Sequence, residues 1–204
     1  MARATAAIMA WKMPSTPGDG PERDHDELPH GPVNPLNTPP AEILAAADEI
    51  RRSLVDRGLR LAAAESLTGG YVQSLISTAA GVSECFQGGV VAYNLEQKVK
   101  LLGVDRSHAA EVDCVSPRVA REMAQGVCRL MQADVAVATT GYASPEPEQG
   151  VTMPFAFVSI WRRGGDEGEP LFEGRFEKDD HRIAVQQYIA HETLLALLEA
   201  TRRL

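Results

Sequence analysis

Residues equipped for chemistry gather in two short runs, Glu65-Ser66-Leu67-Thr68-Gly69-Gly70 and Thr139-Thr140-Gly141. In the first, hydroxyls stand beside paired glycines, which let the backbone approach a phosphate or an oxyanion and leave N–H groups free to bind it. In the second, two hydroxyls and a glycine close an apolar run, at the carboxyl end of a strand. Neither run is decisive alone, because strand-to-helix turns also use Ser, Thr and Gly for capping and left-handed geometry. Metal chemistry is not indicated. There is no HExxH and no paired Cys/His spacing, and the run DHDELPH at residues 24–30 offers loose ligation at most. Cys85, Cys114 and Cys128 lack a CxxC spacing and fall in apolar-patterned segments, so small buried thiols are expected.

The elements that must position these runs follow from patterning. Leu59 to Ala64 is a short apolar run suited to a buried strand, and it leads through the Ser66–Gly70 loop into a helix over Tyr71–Ala79. Gly88 to Tyr93 is a second strand, followed by Asn94 as a helix cap with Gln97 in capping-box position, which places Lys98 inside a short helix. Ser116-Pro117 opens a helix through Ala120, Met123, Val127 and Leu130, and a buried strand, Val135 to Ala138, ends at Thr139-Thr140-Gly141. Phe155 to Trp161 and Leu171 to Phe176 form a hairpin turning at 163–166, and a helix from about Asp180 to Arg203 closes the chain. Upstream, Thr38 and the prolines after it start a helix with Ile43, Leu44, Ala47, Ile50 and Leu54 on one face, ended by Gly58. Alternating strands and helices with a terminal hairpin predict a three-layer α/β/α sandwich, a single domain with a mixed, mostly parallel sheet over residues 41–204.

Composition removes several function classes. The 204 residues, 44% of them hydrophobic, suffice for one sizeable core but not comfortably for two domains. A net charge of -8 argues against nucleic-acid binding, which needs a basic surface. No apolar run nears the roughly 20 residues that span a bilayer, and the first residues lack the apolar core and cleavage site of a signal peptide, so no membrane partner and a cytoplasmic location are expected. Eight of the thirteen prolines lie within residues 1–40, a segment too poor in apolar surface to offset its ordering entropy, and a disordered tail is expected there.

Taken together, the blocks ESLTGG, FQGGVVAYNLEQKVKLLGVD, VSPRVAREMAQGV and DVAVATTG resemble, in this order, the CinA C-terminal family, the nicotinamide-nucleotide amidohydrolases, over roughly residues 59–204. The resemblance implies deamidation of nicotinamide mononucleotide to nicotinic acid mononucleotide and ammonia, in pyridine-nucleotide salvage, without a cofactor. It implies Ser66 as nucleophile, Lys98 as general base and Tyr93 as a residue that holds or polarises the pair. Substrate contacts are expected from Glu65, Leu67, Thr68, Gly69, Gly70, Thr140, Gly141 and Arg182, with loop N–H groups holding the oxyanion. It also implies a homo-oligomer and a small-molecule nucleotide as partner. The family often carries a further N-terminal domain, for which the 40-residue tail has no room, so a stand-alone version is expected.

Each residue has a plainer role in competition. Ser66 can be an N-cap, Lys98 a solvated helix lysine, and Tyr93 a strand-end residue with its hydroxyl in water. Thr140 caps a turn or binds ligand. Glu65 stabilises the helix start or orients the lysine, and the first role weighs slightly more.

Departures from the family pattern begin after Gly141. The usual TGxAGPxGG loop is Thr140-Gly141-Tyr142-Ala143-Ser144-Pro145-Glu146-Pro147-Glu148, short of glycines and richer in acids, and the K-P-V-G-x-V stretch is Met153 to Val158. The G-D-R-x-x-(I/V)-R segment corresponds to Lys178 to Val185, where Arg182 or His181 would have to supply the phosphate grip. Leu67 replaces a cysteine common in the family, a change of packing. Three activities remain open at this point: a working deamidase, an amidohydrolase on another amide, and a catalytically silent ligand-binding or assembly module.

Overall fold

The computed structural model describes residues 38–164 and 169–204, and the expected proline-rich tail, including the DHDELPH run, lies outside them up to residue 37. Five strands form one sheet in the order β2-β1-β3-β4-β5: β1 Leu61–Glu65, β2 Phe86–Val91, β3 Val135–Tyr142, β4 Phe155–Arg162 and β5 Phe172–Glu177. β1 pairs in parallel with β2 and β3, while β4 runs antiparallel to both β3 and β5, so β4 alone is reversed in the expected mixed sheet.

Six helices cover the two faces: α1 Ala41–Asp56, α2 Tyr71–Ile76, α3 Leu95–Leu102, α4 Arg106–Glu111, α5 Pro117–Leu130 and α6 Arg182–Thr201. The alternation of β1 decides which layer meets which side chain. Leu61 and Ala63 pack with α1, α2 and α6, and Ala62 and Ala64 pack with α3, α4 and α5. On the second face the sheet offers Ala62, Ala64, Ala136 and Ala138 to Met123, Ala124 and Val127 of α5, and these small side chains let the helix settle close to the strands. The same helix presses on α3 at Gly126, where a Cβ would lie 2.1 Å from the Leu102 carbonyl oxygen.

Several local signals act as the sequence suggests. Gly58, at φ +63°, ends α1, and Ser116 caps α5 by accepting from the Val119 N–H at 3.1 Å. Others differ. Helix α1 begins at Ala41 with Pro40 in the capping position and no side-chain cap, so Thr38 plays no such part. Helix α4 has no expected counterpart; Asp105 starts it by accepting from the Ser107 and His108 N–H groups. Strand β2 starts at Phe86 rather than Gly88 and stops at Val91. Strand β3 does not end at Ala138 but continues through Thr139, Thr140 and Gly141 to Tyr142, because β4 supplies an antiparallel partner as far as the Tyr142–Phe155 pair. Gly141 is required there by packing, since a Cβ would meet the Phe155 carbonyl oxygen at 2.1 Å.

The connections out of β1 and into β3 lie on opposite faces, α2 on one and α5 on the other. A crevice therefore opens beyond the carboxyl ends of these two adjacent parallel strands, where α/β sheets bind ligands.

Candidate active site

Strand β1 carries its last residue, Glu65, into the core, and the carboxylate is spent on the backbone that follows. Its oxygens accept from the N–H groups of Gly70 (2.9 Å), Val72 (3.1 Å) and Gln73 (2.9 Å). Gly70 has no side chain to cap α2, so Glu65 does so from five residues upstream. Glu65 is thus a structural clamp that does not line the cleft, contrary to the expected substrate contact.

Between these anchors Ser66 to Gly69 forms a tight turn closed by the Gly69 N–H on the Ser66 carbonyl at 3.1 Å, and Gly69 and Gly70 supply the left-handed φ values of +61° and +108°. The Thr68 and Thr139 hydroxyls bond to each other at 2.8 Å, fastening the turn to β3, so the Thr68 side chain is a tether inside the core. Gly69 and Gly70 do not present free amides, because their N–H groups bond to Ser66 and Glu65. The Leu67 side chain is buried against Ala143, Ala156, Val185 and Ile189. Among the described residues the Leu67 and Thr68 N–H groups have no backbone or side-chain acceptor.

Lys98 comes from α3, whose N-cap Asn94 accepts from the Gln97 N–H at 3.0 Å. The side chain runs inward and is 1% exposed. Its Nζ lies 2.9 Å from Ser66 Oγ, 2.9 Å from the Ala92 carbonyl oxygen and 3.3 Å from that of Tyr93. Burial pushes the Lys98 ammonium below its ordinary range, against the opposing pull of Cys114 and Asp113. A neutral amine has two N–H bonds and one lone pair. With the two carbonyls as acceptors for the N–H groups, the lone pair is left for the Ser66 hydroxyl to donate to, the arrangement a general base requires.

The expected role of Tyr93 changes in one respect. Its backbone carbonyl, not its phenol, holds Lys98; the side chain is 55% exposed, and its hydroxyl accepts from Arg182. Arg182, the first residue of α6, also donates to Ser144 Oγ at 3.4 Å and lines the cleft. His181 instead serves as the N-cap of α6, accepting from Ala184 N–H, so Arg182 is the cation that reaches the site. Thr140 donates to the Cys114 carbonyl at 2.8 Å and lines the wall with Gly141.

These groups border a cleft of about 400 Å³, within the range of small-molecule sites. Sequence reasoning missed part of its wall, Asp113, Cys114 and Val115 from the α4–α5 loop, whereas Ser144 and Glu146 come from the loop after β3 in which the departures from the family pattern begin. Asp113 and Cys114 both have left-handed φ, +48° and +61°. The Asp113 carboxylate accepts from the Tyr142 hydroxyl at 3.0 Å, and burial together with this carboxylate pushes the Tyr142 phenol up to about 12. Cys85 and Cys128 are buried as expected, but Cys114 is only half-buried and faces the cleft, its thiol raised by burial.

Known proteins share this architecture. A CinA superfamily protein from Klebsiella pneumoniae superposes with a TM-score of 0.72 at 28% identity, covering 79% of this chain and 99% of that one. A CinA-like protein of Amoebophilus asiaticus is 42% identical over 145 residues, 71% of this chain and 34% of the relative. A putative competence-damage inducible protein of Halothermothrix orenii is 43% identical over 137 residues, 66% of this chain and 32% of the relative. The chain thus spans about a third of the length of these curated relatives. Residues 44–201, more than three quarters of the sequence, match the profile of the CinA C-terminal domain, and the chain belongs to that family.

Proposed function

We propose that the chain is a serine–lysine amidohydrolase that deamidates nicotinamide mononucleotide. The observation that carries this reading is the 2.9 Å approach of a fully buried Lys98 amine to Ser66 Oγ, with two carbonyls occupying the remaining valences of the amine. The Ser66 hydroxyl gives its proton to Lys98 as Oγ bonds to the carboxamide carbon, and the carbonyl electrons move onto oxygen. The N–H of Leu67, a residue that lines the cleft, is the loop donor left to meet that oxyanion. Collapse breaks the C–N bond, Lys98 returns the proton to the leaving ammonia, and a water deprotonated by the same amine hydrolyses the acyl-serine ester to nicotinic acid mononucleotide. No cofactor takes part.

Arg182 supports a phosphorylated substrate: its guanidinium is held at the cleft by two neutral hydroxyls and has no carboxylate partner among the described residues. A second reading, hydrolysis of an amide without a phosphate, is favoured by the Asp113 and Glu146 carboxylates on the same wall, which repel a dianion.

Ammonia release from nicotinamide mononucleotide by the parent protein, Ser66→Ala and Lys98→Ala tests the proposal. Turnover should fall by about 10³-fold or more in both variants. Undiminished release by Ser66→Ala removes the nucleophile, and no release by the parent moves the substrate to another amide.

A further inference from the structure

The cleft wall carries a carboxylate that the mechanism above does not use. Asp113, in the loop between α4 and α5, lines the cleft, and among the described residues no lysine, arginine or histidine forms an ion pair with it. An unpaired acid is ordinary on open surface, but this one is set in place. Asp113 and Cys114 hold left-handed φ values of +48° and +61°, a conformation that costs free energy outside glycine and persists where the surroundings impose it. The Cys114 N–H donates to the Ala109 carbonyl at 2.7 Å, and the Cys114 carbonyl accepts from Thr140 at 2.8 Å. The Asp113 carboxylate is fixed in turn by the Tyr142 hydroxyl at 3.0 Å, and Tyr142 lines the same cleft.

This charge stands on the reacting side. Lys98, lowered by burial, feels the opposing pull of Cys114 and Asp113, whereas Arg182 is tied at the rim to Tyr93 and Ser144. The cleft therefore has a cation where α6 begins and an anion at the α4–α5 loop. A ligand matching both carries the opposite pair, since a carboxylate that repels a phosphate attracts a cation in the same molecule. In nicotinamide mononucleotide the positive ring nitrogen lies meta to the carboxamide, so the charge enters with the reacting group while the phosphate extends away from it.

We propose that Asp113, held by Tyr142, is a specificity-determining residue: it is the counter-ion for a cationic ring, so that the cleft takes N-substituted pyridinium carboxamides in preference to their uncharged dihydropyridine forms. This deepens the deamidase reading and rests on it. Ring reduction removes the charge and keeps carboxamide, ribose and phosphate. Repulsion between Asp113 and the phosphate is then common to both forms and cancels in the ratio of their affinities.

The experiment uses Ser66→Ala, which binds without turnover, and measures dissociation constants by calorimetry for nicotinamide mononucleotide and its reduced form, and for nicotinamide riboside and its reduced form, which lack the phosphate. The set is repeated with Asp113→Asn added, a side chain that tolerates left-handed backbone and still accepts from Tyr142. Ser66→Ala should bind each charged form about tenfold more tightly than its reduced form, and Asp113→Asn should bring each ratio to within about twofold of unity. Should the Asn variant bind neither form, Asp113→Glu takes its place: a preference of about threefold or more upholds the counter-ion, and none overturns it. Equal affinities before substitution, or a preference that survives Asp113→Asn, overturn the role of Asp113 while ammonia release by the parent stands. A parent that releases no ammonia, with no binding of any of these ligands, overturns the deamidase reading and this proposal with it.

Discussion

The floor and the rim of the cleft are built on opposite principles. On the floor, Ser66 and Lys98 lie in the core, backed by Glu65, which is buried away from the cleft, and each is fixed by backbone or by another of the site's own groups: Glu65 by three N–H groups, Lys98 by two carbonyls and Ser66. On the rim, Tyr93 and Arg182 are exposed and meet Ser144 and each other through neutral hydroxyl bonds, on loops and helix ends. The floor is set by the fold and can hold one geometry for chemistry. The rim can be rebuilt without disturbing the sheet, and two of its residues, Ser144 and Arg182, come from the segments in which the sequence leaves the family pattern, 142–156 and 178–185. Reaction type and substrate choice are thus separable in this molecule.

Lys98→Met tests the floor most severely. Activity should fall by about 10³-fold or more, because no other amine among the described residues reaches Ser66. Stability should move the other way. The folded state holds Lys98 at a lowered pKa, so between that value and the unfolded lysine value near 10.4 the unfolded chain binds more protons and stability rises with pH. Below that window the cost of the buried amine is present in full. Denaturant titrations across pH should show the rise in the parent and a flatter profile, with higher neutral-pH stability, in Lys98→Met; a less stable variant would make the lysine a structural pillar and erase the distinction.

Glu65→Ala is next in size. Removing the carboxylate leaves three N–H groups at the start of α2 without an acceptor, and unfolding free energy should drop by about 3 kcal/mol or more. A urea melt showing under about 1 kcal/mol would mean that water caps the helix equally well.

The rim should respond in binding. Arg182→Ala should raise KM for nicotinamide mononucleotide by about 10- to 100-fold with a small change in kcat. Tyr93→Phe removes a hydroxyl that touches Arg182 and not Lys98, and should raise KM by only about two- to fivefold. A kcat loss in Tyr93→Phe comparable with that of Lys98→Met would place the phenol on the dyad and break the contrast between floor and rim.

Much of the floor is legible in the residues because local rules govern it. The Asn94 and Ser116 caps, the Gly58 stop and the apolar run of β1 each declare themselves within a few positions. The closeness of Ser66 and Lys98, 32 residues apart, does not; only the family resemblance put them together. Thr139-Thr140-Gly141 resembles a turn in composition, and its extension of β3 depends on β4, a partner beyond local sight. Helix α4 has one buried residue, Ala109, and so no apolar period to read. Asp113 and Cys114 enter the site through left-handed backbone that nothing in their residue types requires. Glu65 was open between two roles because a carboxylate at a strand end can turn to a helix or to a cleft, and the choice is made by three N–H groups that only the folded α2 presents.

Gly126 has a reach longer than its size suggests. At the point of closest approach only its hydrogen separates α5 from the last turn of α3, and Leu102, which it touches, stands one helical turn from Lys98. A single methyl group inserted there acts as a wedge under one end of a beam whose middle carries Lys98, the proposed base. The alignment of Ser66 and Lys98 in the cleft is in this sense gauged at a distance, by the absence of a side chain on a helix none of whose residues lines that cleft.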